Sequence, residues 1–164
     1  MVIKVFVSGT YDILHAGHVG FFKNARYFAE NWEGRKQGEK VELIVSFASD
    51  RVLKKNKGRV SALPEFDKKV ILESIKGVDK VYLSTNPSDS VLDFKDAFLK
   101  EKPNFLVVTS DELHGERKLE LCKKVGAEFV KLEKKSISVS NMSTTKIRQR
   151  IIKDAISKSP KKSK

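Results

Sequence analysis

The chain reads as an α/β protein: a Rossmann-like, doubly wound sheet of five parallel strands with helices on both faces. Three observations predict it. Short apolar runs of strand length alternate with amphipathic stretches of helix length. The first apolar run ends in a tight glycine turn that leads into a helix, the opening of a βαβ unit. Parallel strands joined by right-handed crossovers cover both faces of their sheet.

Val2–Val7 is the first buried strand. From Gly17 to Asn31 the apolar residues Val19, Phe21, Phe22, Ala25, Phe28 and Ala29 recur at helical spacing, so Phe21, Phe22 and Phe28 belong to the core. Trp32 to Lys40 is a polar loop carrying Gly34 and Gly38, and Val41–Phe47 is the second strand. Ser49 or Asp50 caps a short helix through Lys55. Asn56 to Leu63 is a basic loop, and Pro64 suits the first turn of a helix that runs to about Ile75. Lys80–Leu83 is the third strand, and Ser90 caps a helix over Val91–Lys100. Phe105–Val108 is the fourth strand. The helix Glu116–Val125 is closed by Gly126, with Cys122 on its packed side. Glu128–Leu132 is the fifth strand, and Ser143 opens a last helix to about Ile156.

Composition bounds the setting. The 164 residues make one domain, 1–156, followed by a Ser/Lys/Pro tail over 157–164 that is expected to be disordered. No apolar run reaches the length of a membrane span, and the start of the chain does not read as a secretory signal. The single cysteine, Cys122, excludes an intrachain disulfide and fits a reducing, cytoplasmic setting. The net charge of +12 favours anionic partners. Nucleotides, phosphorylated metabolites and nucleic acid all meet that description.

In a doubly wound sheet ligands bind beyond the carboxyl ends of the strands. The tip after the first strand holds two of the chain's three histidines, His15 and His18, behind Gly9, Thr10, Tyr11 and Asp12. Gly9 lets the backbone approach a phosphate, and a helix starting near Gly17 offers its N–H groups and dipole to an anion. Two imidazoles three residues apart at that mouth can stabilise charge growing on phosphoryl oxygens. A zinc site would need a third ligand, and only His114, Cys122 or a carboxylate offers one, so no metal ligand is assigned. About 125 residues further on, Ser143, Thr144 and Thr145 open a helix beside Lys146, Arg148 and Arg150. Capping accounts for one hydroxyl but not for three.

Gly9-Thr10-Tyr11-Asp12-Ile13-Leu14-His15-Ala16-Gly17-His18 resembles the signature G-x-[FY]-D-x-x-H-x-G-H of the cytidylyltransferase-like nucleotidylyltransferases. Met142-Ser143-Thr144-Thr145-Lys146-Ile147 is similar to their second signature, I-S-[ST]-[ST]-x-[IL], with Met142 in the isoleucine place. The resemblance implies transfer of a nucleoside monophosphate from a nucleoside triphosphate to a phosphomonoester, with Mg²⁺ on the triphosphate and pyrophosphate released. It makes His15, His18 and Lys57 catalytic. It assigns Gly9, Thr10, Tyr11, Asp12, Gly17, Asp111, Ser143, Thr144, Thr145 and Arg148 to the nucleotide, and Lys57 and Lys68 to the acceptor's phosphate. Lys68 and Ser138 stand where relatives carry arginines. CTP is the nucleotide the motifs lean to, with ATP as in heptose-1-phosphate adenylyltransferases or archaeal FAD synthetases the alternative, and a homodimer is expected. The rival of another class is a non-catalytic nucleotide- or nucleic-acid-binding module, distinguished by steeply salt-dependent binding.

Overall fold

A computed structural model describes residues 1–86, 88–133 and 142–158. Ser138 and the tail beyond residue 158 lie outside the described residues. The strands are β1 (Val2–Gly9), β2 (Lys40–Ala48), β3 (Lys80–Ser84), β4 (Phe105–Thr109) and β5 (Glu128–Leu132). The helices are α1 (Ala16–Glu30), α2 (Asp50–Lys57), α3 (Glu65–Ser74), α4 (Lys95–Glu101), α5 (Gly115–Lys123) and α6 (Thr144–Lys158). One parallel sheet forms in the order β3-β2-β1-β4-β5. That order reverses direction between β1 and β4, the switch point where doubly wound sheets open.

Each strand sends alternate residues to opposite faces. Val5 and Val7 of β1 pack with Leu43, Val45, Leu72 and the buried side of α1, namely Phe21, Phe22, Ala25 and Ala29. Phe6 points the other way and joins Ile44, Leu106 and Val108 against Phe94, Phe98, Leu121 and Cys122. The sheet is therefore covered on both faces, which is why its strands are apolar on both. β1 follows β2 in register from Val2–Lys40 to Gly9–Phe47, but pairs with β4 only at Val5–Phe105 and Phe6–Leu106. Their carboxyl ends part, and the gap is the site.

Several elements differ from the expectation: β1 runs two residues further to Gly9, α2 takes in Asn56 and Lys57 of the expected basic loop, and α5 stops at Lys123, two residues short of Val125. No helix starts at Val91: the Asp89 carboxylate accepts from the amides of Val91 and Leu92 at 3.1 and 3.2 Å, satisfying them in a local turn. The α4 helix then begins at Lys95, after Phe94 is buried against Phe6 and Phe98. The last helix also continues through Ser157 and Lys158, two residues past the expected domain end.

Candidate functional site

A cavity of about 350 Å³ lies over the parted ends of β1 and β4. Thr10, Asp12, His15, Gly17 and His18 line it from the first tip, Lys57 and Arg59 from the end of α2, and Thr109 and Asp111 from the end of β4. Met142, Ser143, Thr144 and Thr145 close it from the start of α6. The histidines and the hydroxyls, far apart in sequence, share one space.

The local geometry explains the motif. His15 is the N-cap of α1, and its Nδ1 accepts from the Gly17 N–H at 3.1 Å. A neutral His15 therefore carries its proton on Nε2, leaving that nitrogen as a donor. The His15 ring lies back over Gly17, where a Cβ would sit 2.9 Å from Cε1, so a side chain there would displace the imidazole. The His18 ring stacks on His15 at 3.9 Å and 30°. Burial, and then the neighbouring His15, push the His18 imidazole down to about 4, and burial lowers His15 as well. Both are neutral donors at pH 7.

Asp12 is the hub. It is 2% exposed, and its carboxylate accepts from Arg59 Nη1 at 2.6 Å, Ser61 Oγ at 2.9 Å and Ala62 N at 2.6 Å. Arg148 of α6 adds two bonds, from Nε and Nη2, each at 3.0 Å. Burial would raise this carboxyl, but the Ala62 amide, Arg59, Ser61 and Arg148 outweigh it and hold it at about 2. Asp12 thereby ties the first tip to the basic loop and to α6. Thr144 Oγ1 adds a bond to the Ile13 carbonyl at 3.3 Å. Ser143 both caps α6, accepting from the Lys146 amide at 3.2 Å, and lines the cavity.

Three expected ligands sit elsewhere. Lys68 is fully buried: α3 turns it onto the Phe47 ring, and its Nζ donates to the Ala48 carbonyl at 3.1 Å. Burial lowers its pKa, and Asp50, Glu65 and Asp12 act against that. It has no path to an acceptor's phosphate. Tyr11 is buried beneath the cavity, its ring against His18 and Phe22, because its backbone turns left-handed at φ 42°. Arg148 has its guanidinium on Asp12 instead of in the opening. Asp111, by contrast, stands at the mouth and accepts from Thr109 Oγ1 at 2.6 Å. His114 lies outside the cavity, exposed at the start of α5.

Sequence reasoning missed Arg59 as a site residue. The signal was there: a buried aspartate in an anion site needs a cation beside it. Among the described residues no cluster of three His, Cys, Asp or Glu side chains is placed to hold a metal ion, and no helix is long and apolar enough to cross a membrane. The site's chemistry is that of an anion cradle: two neutral imidazole donors, two helix N-termini, a ring of hydroxyls and the exposed Lys57.

Comparison with known proteins agrees. Residues 6–150 match the model of the cytidylyltransferase-like family. The FAD synthases of Pyrococcus horikoshii and Pyrococcus abyssi are each 34% identical over 110 residues, spanning 67% of this chain and 64% of theirs. The chain thus aligns with less than two thirds of those relatives' length. A lipopolysaccharide core biosynthesis protein from Thermoplasma volcanium has the same fold, with a TM-score of 0.59 over 79% of this chain and 95% of that one, at 23% identity. The motif, the cavity and the match over residues 6–150 lead to one conclusion: the chain belongs to the cytidylyltransferase-like family.

Proposed function

We propose that this chain transfers a nucleoside monophosphate from a nucleoside triphosphate to a small phosphomonoester and releases pyrophosphate. One observation carries the reading: His15 and His18 face the same cavity as Ser143, Thr144 and Thr145. An acceptor phosphate oxygen attacks the α-phosphorus in line, and pyrophosphate leaves toward α6. The imidazoles donate to the non-bridging oxygens as charge builds there. The Ser143 and Thr145 hydroxyls, with the amides of the first turn of α6, hold the β and γ phosphates, while the Thr144 hydroxyl donates to the Ile13 carbonyl and positions that turn. Lys57 reaches the acceptor's phosphate or the triphosphate from the rim. Mg²⁺ would supply charge neutralisation to the triphosphate, with Asp111 the carboxylate at the mouth that could face it.

For the substrates we propose ATP and FMN. The support is the likeness to the two FAD synthases; the motif's lean to CTP is the alternative. A homodimer is part of the same reading, and sedimentation tests it. The decisive experiment is pyrophosphate release, crossing ATP, CTP, GTP and UTP with FMN, glycerol 3-phosphate and a sugar 1-phosphate. Turnover with at least one pair is expected, falling roughly hundredfold or more in His18→Ala. Full activity in His18→Ala would defeat the mechanism. Nucleotide binding with no pyrophosphate from any pair would mark a sensor instead.

A further inference from the structure

We infer that Tyr11 is a positioning residue, fixing the His18 imidazole for transfer by ring packing where no hydrogen bond does so. The inference rests on the role of His18 proposed above. It starts from what His18 lacks: its Nδ1 is buried and has no hydrogen-bond partner among the described residues. A working imidazole usually has its second nitrogen tied to a carbonyl or carboxylate, which sets the tautomer and the tilt of the ring. Here packing must set the tilt.

Two rings touch His18. His15 stacks on it, but His15 lines the cavity and is only half-buried. Tyr11 meets it edge-to-face at 5.2 Å and 90°, and is itself backed by Phe22 at 5.2 Å and 72°. Phe22 belongs to the core, so Tyr11 is the wall anchored in the core, whereas His15 is held from the cavity side by its bond to the Gly17 amide. Several local features are otherwise unexplained. Tyr11 holds a left-handed backbone at φ 42°, rare for an aromatic residue. Gly9 leaves room for its ring, since a Cβ there would lie 2.9 Å from Tyr11 Cζ. Its hydroxyl is buried with no partner among the described residues, a penalty the chain accepts. The unpaired hydroxyl says that the ring is the working part.

The test uses the full chain and the imidazole ¹⁵N–¹H spectrum at pH 7, with His18→Ala identifying the His18 signals. Tyr11→Phe should leave those signals in place and the rate with ATP and FMN within about twofold. Tyr11→Leu should shift and broaden them and lower kcat about 10- to 100-fold, with the KM for ATP nearly unchanged and the fold intact by circular dichroism. A folded Tyr11→Leu with wild-type His18 signals would overturn the inference, and so would a displaced His18 spectrum in Tyr11→Phe. If Tyr11→Leu does not fold, Tyr11→Met takes its place under the same two criteria. If the ATP and FMN pair gives no turnover, the spectra alone decide. A wild-type rate in His18→Ala would remove the functional reading and leave the spectra to judge the packing.

Discussion

Asp12→Asn is the most informative single change, because it removes one charge and almost no volume. The Asp12 carboxylate accepts five hydrogen bonds, three of them from Arg59 and Arg148. Its pKa falls from 3.8 to about 2 on folding, and at 1.36 kcal/mol per unit this corresponds to roughly 2–3 kcal/mol. The Arg59 and Arg148 side chains are 36% and 30% exposed, so solvent screening moves the figure to the lower end, about 2 kcal/mol. The sign follows from the lowered folded-state value. The contribution is fully present above the unfolded carboxyl's pKa, near 4, and is lost as the pH falls through 2. Urea unfolding followed by circular dichroism should therefore show the asparagine variant about 2 kcal/mol less stable at pH 7, with the gap closing by pH 2. In melting temperature the difference at pH 7 is roughly 4–8 °C. The variant should also bind triphosphate less tightly, because α6 loses its tie to the first tip. Equal stability at pH 7, or a gap that persists at pH 2, would refute the hub.

The remaining predictions concern the imidazoles, the motif glycine and the lysines. A ¹⁵N titration should put the His18 midpoint near 4 in the free protein. Because its folded value is below the ordinary 6.5, stability should fall as the pH drops from about 6.5 through 4, and a midpoint at or above 6.5 would contradict the burial argument. Gly17→Ala should split stability from activity. Alanine favours α1 by roughly 0.5–1 kcal/mol, but its Cβ would lie 2.9 Å from the His15 ring, so the melt should hold or rise while turnover falls. Lys57→Ala should raise the KM for a substrate roughly tenfold without altering the melt, since this exposed lysine makes no ion pair among the described residues. Lys68→Met should leave acceptor affinity unchanged, and a raised acceptor KM in a stably folded variant would return Lys68 to the site.

The frame was legible in the sequence because short-range rules govern it. β5 has the ends the apolar run marks, and the ends of β2, β3 and α1 lie within a residue or two of their patterns. The first tip was legible for the same reason, since a strand, a glycine turn and a capped helix follow one another directly. Partnerships across the fold were not. The cations on Asp12 come from 47 and 136 residues away, and the sequence shows charges without showing which of them meet. Helix α3 is the sharpest case. Its apolar Phe66 and Val70 are exposed, whereas Lys68 and Leu72 face inward. A lysine standing where relatives carry an arginine looks like a ligand, and only the tertiary surroundings, the Phe47 ring with the Asp50 and Glu65 carboxylates, reveal a buried structural cation. Helix α4 starts late because Asp89 offers two amides a local alternative, a competition that helical periodicity does not register.

A buried carboxylate in a pocket for polyanions looks counterproductive until the charges are followed. Asp12 occupies Arg59 and Arg148, and both imidazoles are neutral near pH 7. Among the described residues lining the cavity, this leaves Lys57 as the cation without a carboxylate partner. In the proposed function the grip on a triphosphate then comes from amides, hydroxyls and imidazole N–H groups, all directional, more than from diffuse positive charge. Directional donors discriminate between a ground state and a transition state whose oxygens have moved, whereas a cluster of free arginines would hold the substrate, the transition state and pyrophosphate alike. Under the proposed transfer Asp12 therefore contributes twice: it fastens the hydroxyl-bearing helix to the histidine tip, and it withdraws static charge that would slow the departure of pyrophosphate.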